Sequence, residues 1–174
     1  MLIPGFLISL LTFPGVIVHE LAHLLCCRWC RVPVHKVCYF RLGNPSGYVL
    51  HEVPDSPLQS LFICLGPFFI NTLLGLVIGF PASRAIFSMP HVPSADFWLL
   101  WLGVSIAMHA FPSTGDARSL WAQVTRRGIS FLWRLLFAPI ILIIYLGALG
   151  SILWLDLFYG VGVALLLPKL LMGH

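Results

Sequence analysis

Two histidines and a glutamate fall within five residues, His19-Glu20-Leu21-Ala22-His23. Side chains four apart on a helix share one face, with Cβ atoms about 5–6 Å apart, so both imidazoles can reach one metal ion. Glu20 points to an adjacent position, from which it can take a proton from metal-bound water. The motif lies inside an apolar run that starts at Leu2. Histidine and glutamate are costly at membrane depth unless they face a wet, protein-lined cavity. The chemistry indicated is metal-assisted hydrolysis at or within a bilayer.

The rest of the chain supports that location. Of its 174 residues, 59% are hydrophobic and only 9% are charged. A soluble domain carries about a quarter charged residues, so this chain has too little polar surface to coat itself in water. The net charge of +4 is spread among loops, which argues against nucleic acid as a partner. The five cysteines are odd in number and Cys27-x-x-Cys30 has no second pair, so neither a disulfide framework nor a complete thiolate metal site is expected. The N-terminus lacks a basic region and a small-residue cleavage site, so the first apolar run reads as retained.

The pattern predicts an all-α polytopic membrane protein of about five transmembrane helices, with a small membrane-associated β-hairpin after the first. The runs are roughly 2–25, 58–80 ended by Pro81, 97–111 ended by Pro112, 129–149 with Pro139 inside, and 151–171. Gly150 joins the last two by a tight turn. Residues 1–128 read as a three-span core and 129–174 as two added helices. With the N-terminus outside, nine of the ten cationic side chains lie on one side, Lys169 among them, against Arg84 alone. That bias predicts a cytosolic C-terminus and places His19 and His23 towards the cytosolic end of the first span. Between the first two spans, 37–42 and 48–53 flank Gly43-Asn44-Pro45-Ser46-Gly47, giving a strand–turn–strand hairpin within 34–53. Residues 116–127 read as a short cytosolic helix capped by Ser113 or Thr114.

A hydrolytic zinc site uses three protein ligands and one open position. Candidates for the third are Asp116, His109, His51, Glu52, Asp55, Asp96 and Asp156. The orientation sets Asp96 and Asp156 on the far side. Asp116 follows Pro112-Ser113-Thr114-Gly115, which breaks the helix and can aim a carboxylate back into the bundle. It is the favoured ligand, with His109 the alternative. Asn71, a lone amide in an apolar span, either serves the substrate or oxyanion or pins two helices together. His51 either orients substrate or lies on the hairpin surface.

The chain resembles the site-2 protease family of intramembrane zinc metalloproteases, in a small form without appended domains. Residues 19–23 match the family's metal-binding helix. Gly66-Pro67-Phe68-Phe69-Ile70-Asn71 matches its Gly-Pro-x-x-x-Asn segment, and the segment 110–118 is similar to the one whose aspartate is the third ligand. The hairpin fits as well, so the resemblance covers roughly residues 12–120. Ala117 replaces the usual glycine after the aspartate, two extra residues follow Pro112, and His109 stands about where the family has asparagine.

The resemblance implies a zinc endopeptidase, with one zinc per chain, that cuts membrane-spanning protein substrates near the cytosolic leaflet. His19, His23 and Asp116 would hold the metal and Glu20 would act as base and acid. The lipid bilayer is its setting; the resemblance does not extend to the last two spans, which could serve as support, a lateral gate or a homo-oligomer surface. An inactive relative that binds membrane proteins is the main alternative, and a metal transporter a weaker one.

Overall fold

The computed structural model describes residues 5–173, a helical bundle with one two-stranded antiparallel sheet. Helix α1 (Gly5–Leu11) and helix α2 (Phe13–Trp29) replace the single predicted first span. The break falls at Thr12, whose backbone leaves the helix, and Pro14 opens the new first turn, where its missing N–H costs nothing. Residues 2–4 of that span lie outside the described residues. Strands β1 (Val34–Cys38) and β2 (Tyr48–His51) form the expected hairpin. Its first strand sits earlier than predicted: Glu52 N–H donates to the Pro33 carbonyl at 2.9 Å, so pairing begins soon after α2 ends. The chain then leaves the ladder as Phe40 packs on Phe13.

Helix α3 (Pro57–Ser88) opens with a capping box between Ser56 and Gln59 and runs through Pro81, where the sequence predicted its end. Pro81 is accommodated because neighbouring packing holds the helix beyond it. Gly79 lies against Ala164, and the Ser83 hydroxyl donates to the Leu165 carbonyl at 2.7 Å. Helix α4 (Ser94–Met108), helix α5 (Thr114–Val124) and helix α6 (Phe131–Gly150) follow. A short 3₁₀ turn and Trp154, in the left-handed region at φ 62°, lead into helix α7 (Leu155–Val161). A wide π turn at Gly162–Leu166 then precedes helix α8 (Leu167–Leu171). The widened turn lies just ahead of Pro168, which has no N–H to give to the ladder. Of the five predicted spans, α3 and α6 form helices long and apolar enough to cross a membrane.

Cross-helix contacts fix the directions. Helix α2 runs antiparallel to α3: Asn71 reaches the Gly15 carbonyl, His23 the Ile63 carbonyl and Gln59 the Cys30 carbonyl. Helix α5 also descends along α3, ending where Gln123 donates to the Pro54 carbonyl at 2.9 Å. Helix α6 climbs back, with Arg134 on the Val124 carbonyl and Gly147 beside Phe111. Tyr159, Leu165 and Lys169 then meet Thr72, Ser83 and Phe87 in that order. The segment 155–171 therefore continues in the direction of α6.

This corrects the predicted topology. The tight turn after Gly150 offsets the chain without reversing it. Lys169, 4.3 Å from the Phe87 ring, stands at the same end of the bundle as Arg84. The C-terminal helix thus ends opposite the α2–α5 end, and the cationic bias becomes eight against two.

Small residues let the helices approach. A Cβ on Gly15 would lie 1.9 Å from the Ser105 carbonyl oxygen of α4, and one on Gly75 would lie 2.6 Å from the Ala107 Cβ. Gly15→Ala is expected to destabilise the bundle by about 1–3 kcal/mol, because backbone must move to admit the methyl. Gly162→Ala, which meets nothing within 4 Å, is the control and should leave the thermal unfolding midpoint in detergent unchanged or raised.

Candidate metal centre

Helix α2 delivers His19 and His23 to one side, with ring centroids 4.8 Å apart. Both rings are fixed from behind. His19 Nδ1 lies 2.7 Å from the His109 carbonyl, and His23 Nδ1 lies 3.0 Å from the Ile63 carbonyl. A carbonyl only accepts, so each Nδ1 carries a proton, and the ring in its neutral form turns a bare Nε2 lone pair forward. Those two Nε2 atoms face each other at 3.2 Å.

Asp116 completes the set. It is the third residue of α5, whose N-cap is Ser113. The Ser113 N–H and hydroxyl both donate to Asp116 Oδ2 at 2.7 Å, and the Asp116 N–H donates back to Ser113 Oγ at 3.2 Å. This capping box holds one carboxylate oxygen and leaves the other, Oδ1, 3.3 Å from His23 Nε2. Burial raises the carboxyl's affinity for a proton, and the two Ser113 donors on Oδ2 oppose that by favouring the ionised form.

One ligand atom from each of His19, His23 and Asp116 lies within 4.8 Å of the others. Two ligands at tetrahedral angles on bonds of 2.0–2.1 Å stand about 3.3 Å apart. The His19–His23 and His23–Asp116 separations of 3.2 and 3.3 Å match that figure, and the third, between His19 and Asp116, is wider but within 4.8 Å. Three acceptor atoms converging without donors among them form a donor set that suits a divalent cation.

Glu20 is buried and lines the same cavity, of about 1060 Å³. That is at the upper end of the roughly 300–1,000 Å³ typical of ligand sites. The hairpin connection closes over it: a Cβ on Gly47 would lie 2.6 Å from Glu20 Cγ and 2.8 Å from Oε1. Glycine there permits the backbone to pass beside the carboxylate.

The other predicted residues separate by role. The His109 ring turns away to Thr12 Oγ1 at 2.8 Å, so its carbonyl serves the site and its imidazole does not. Asn71 is fully buried, and its Nδ2 meets the carbonyls of Gly15, Ile106 and His109 at 3.2–3.4 Å. The amide nitrogen thus ties α2, α3 and the end of α4 together. His51 lines the cavity mouth with its Nδ1 on the Glu52 carbonyl, outside the three-ligand cluster. Sequence reasoning missed Ser113 as the residue that aims Asp116, although it had named Ser113 as a cap. It also missed Gly47 as the neighbour of Glu20, and Asp156, which lines this cavity despite its assignment to the far side. No family model, curated protein or solved structure matches the chain.

Replacing Ser113 by Ala should weaken metal binding about 10–100-fold, the usual effect of removing a group that orients a ligand, when read by competition with a chelating dye. Gly47→Ala should leave metal affinity unchanged while displacing Glu20, so any hydrolytic turnover falls with full metal content.

Proposed function

We propose that the chain is a zinc-dependent endopeptidase of the site-2 protease type, hydrolysing peptide bonds of membrane-embedded protein segments near the cytosolic leaflet. One observation carries the reading. Three acceptor atoms from two helices converge within 4.8 Å of one another beside a buried glutamate, in a cavity with room for an extended peptide.

The exterior supports the setting. Large apolar side chains such as Phe69, Leu73, Val77, Leu135, Ile143 and Leu146 stand exposed along α3 and α6, where lipid would cover them. The eight cationic side chains at the α2–α5 end favour that end as cytosolic, with Arg84, Lys169 and the C-terminal helix end on the outer side. The offset of α6 from α7 favours four crossings, with α6 and the segment 155–171 sharing the last.

Imidazole and carboxylate ligands favour zinc, which supplies Lewis acidity and makes water nucleophilic near neutral pH. The remaining work belongs to the chain's own groups. Glu20 takes a proton from the attacking water and returns it to the amine as the C–N bond breaks. The His109 and Ile63 carbonyls keep both imidazoles in the tautomer that presents Nε2. Residues 44–50 of the hairpin and 111–116 around the start of α5 line the cavity and would confine a peptide backbone there. A transmembrane helix hides its carbonyls in its own hydrogen bonds, so substrate must unwind locally to enter.

The test uses the purified chain reconstituted in lipid with a transmembrane peptide substrate. Wild type should hold about one zinc per chain and cut, in keeping with three protein ligands around one ion. Glu20→Gln should keep the metal and lose about 10²–10⁴-fold in turnover, the contribution expected of a general base. Full metal content with no cleavage by wild type would favour a relative that binds membrane proteins without cutting them. Undiminished turnover by Glu20→Gln would remove the mechanism.

A further inference from the structure

Asp156 is the group the proposed chemistry leaves unused. It opens α7 just past the left-handed Trp154, in an otherwise apolar stretch, and lines the same cavity as His19, Glu20, His23 and Asp116. Its carboxylate takes only local, neutral support, from the Leu157 N–H at 2.9 Å on Oδ1 and from the Ser151 hydroxyl. Among the described residues no Lys, Arg or His nitrogen lies within 4.0 Å of its carboxylate. Its neighbours in sequence among the cavity-lining residues, Ala148 and Ser151, are neutral.

The position is firmly built. One turn further on, Tyr159 packs on Phe111 at 4.8 Å between ring centroids and shares a 2.7 Å hydrogen bond with Thr72. Phe111 follows His109 by two residues, so the wall bearing Asp156 is tied to the wall that holds the metal ligands. A carboxylate beside apolar helices, without an internal cation, is costly unless something that enters the cavity pairs with it.

We propose that Asp156 forms a substrate subsite that selects a lysine or arginine side chain, on the side of the cavity away from the α2–α5 end. This deepens the protease reading and rests on it. A cationic residue within a transmembrane segment is itself expensive in lipid, so pairing with Asp156 would draw such a segment in and favour its unwinding. Asp156 would act by contact with the substrate, not on the reacting atoms.

The test is a binding measurement on zinc-loaded protein in lipid nanodiscs, carrying Glu20→Gln so that peptide is not consumed. The probes are fluorescent Leu/Ala transmembrane peptides with a single lysine moved along the sequence, beside the lysine-free parent. At one lysine position affinity should exceed the parent's by about tenfold, as for a charge-assisted hydrogen bond away from water. Asp156→Glu should retain the preference. Asp156→Asn should abolish it while keeping the parent peptide's affinity and the zinc content. Equal binding of every lysine peptide and the parent would overturn the proposal, as would a lysine preference that survives in Asp156→Asn. Cleavage is read separately on wild type, where its absence would count against the protease reading alone.

Discussion

The structure turns on two imidazole nitrogens and one carboxylate oxygen held within 4.8 Å of one another. Such a grouping is unfavourable on its own, so every element around it acts to prevent escape. The Nδ1 positions are committed to main-chain carbonyls of α3 and of the turn after α4. The second oxygen of Asp116 is committed to the N-cap of α5. Each ligand is thereby tied to a different helix terminus or helix interior, and the site is rigid because the bundle is. A cation at the centre would convert the repulsion into the strongest set of contacts in the molecule.

The helix packing serves this geometry. Gly15 brings α2 against α4 at Ser105, and Asn71 bridges the two from α3, so the depth of His19 relative to the His109 carbonyl is fixed. Gly66 likewise accommodates Cys26, about three turns further along α2. The apolar cluster of Leu120, Val124, Phe137 and Ile141 clamps α5 to α6. It holds the short helix that carries Asp116 at the height of the histidines. Removing the glycines would separate the ligands without touching any of them.

Much of the site was legible because metal ligation demands particular residue types at particular spacings. The two histidines and the glutamate could be read directly, and the helix-breaking run before Asp116 pointed to the carboxylate that the fold brings to them. The shape of the chain between them was less legible. Thr12 and Pro14 split a run that hydropathy alone makes continuous, whereas Pro81 fails to end α3 because tertiary contacts at Gly79 and Ser83 override its local effect. The direction of the last helices was misread for a physical reason. A turn near glycine looks the same in sequence whether it reverses the chain or shifts it sideways, and only contacts such as Lys169 on Phe87 distinguish the two. That error also removed Asp156 from consideration, since its side of the bundle had been assigned from charge counts.

The central claim, that His19, His23 and Asp116 form a nitrogen- and oxygen-donor metal centre, is tested most directly by X-ray absorption at the zinc edge on the purified chain. The expected spectrum has nitrogen and oxygen neighbours at about 2.0–2.1 Å, with the outer-shell scattering of two imidazoles and no sulfur. A sulfur shell at about 2.3 Å, which would draw on Cys26, Cys27 or Cys30, or a chain that retains no metal, would contradict it.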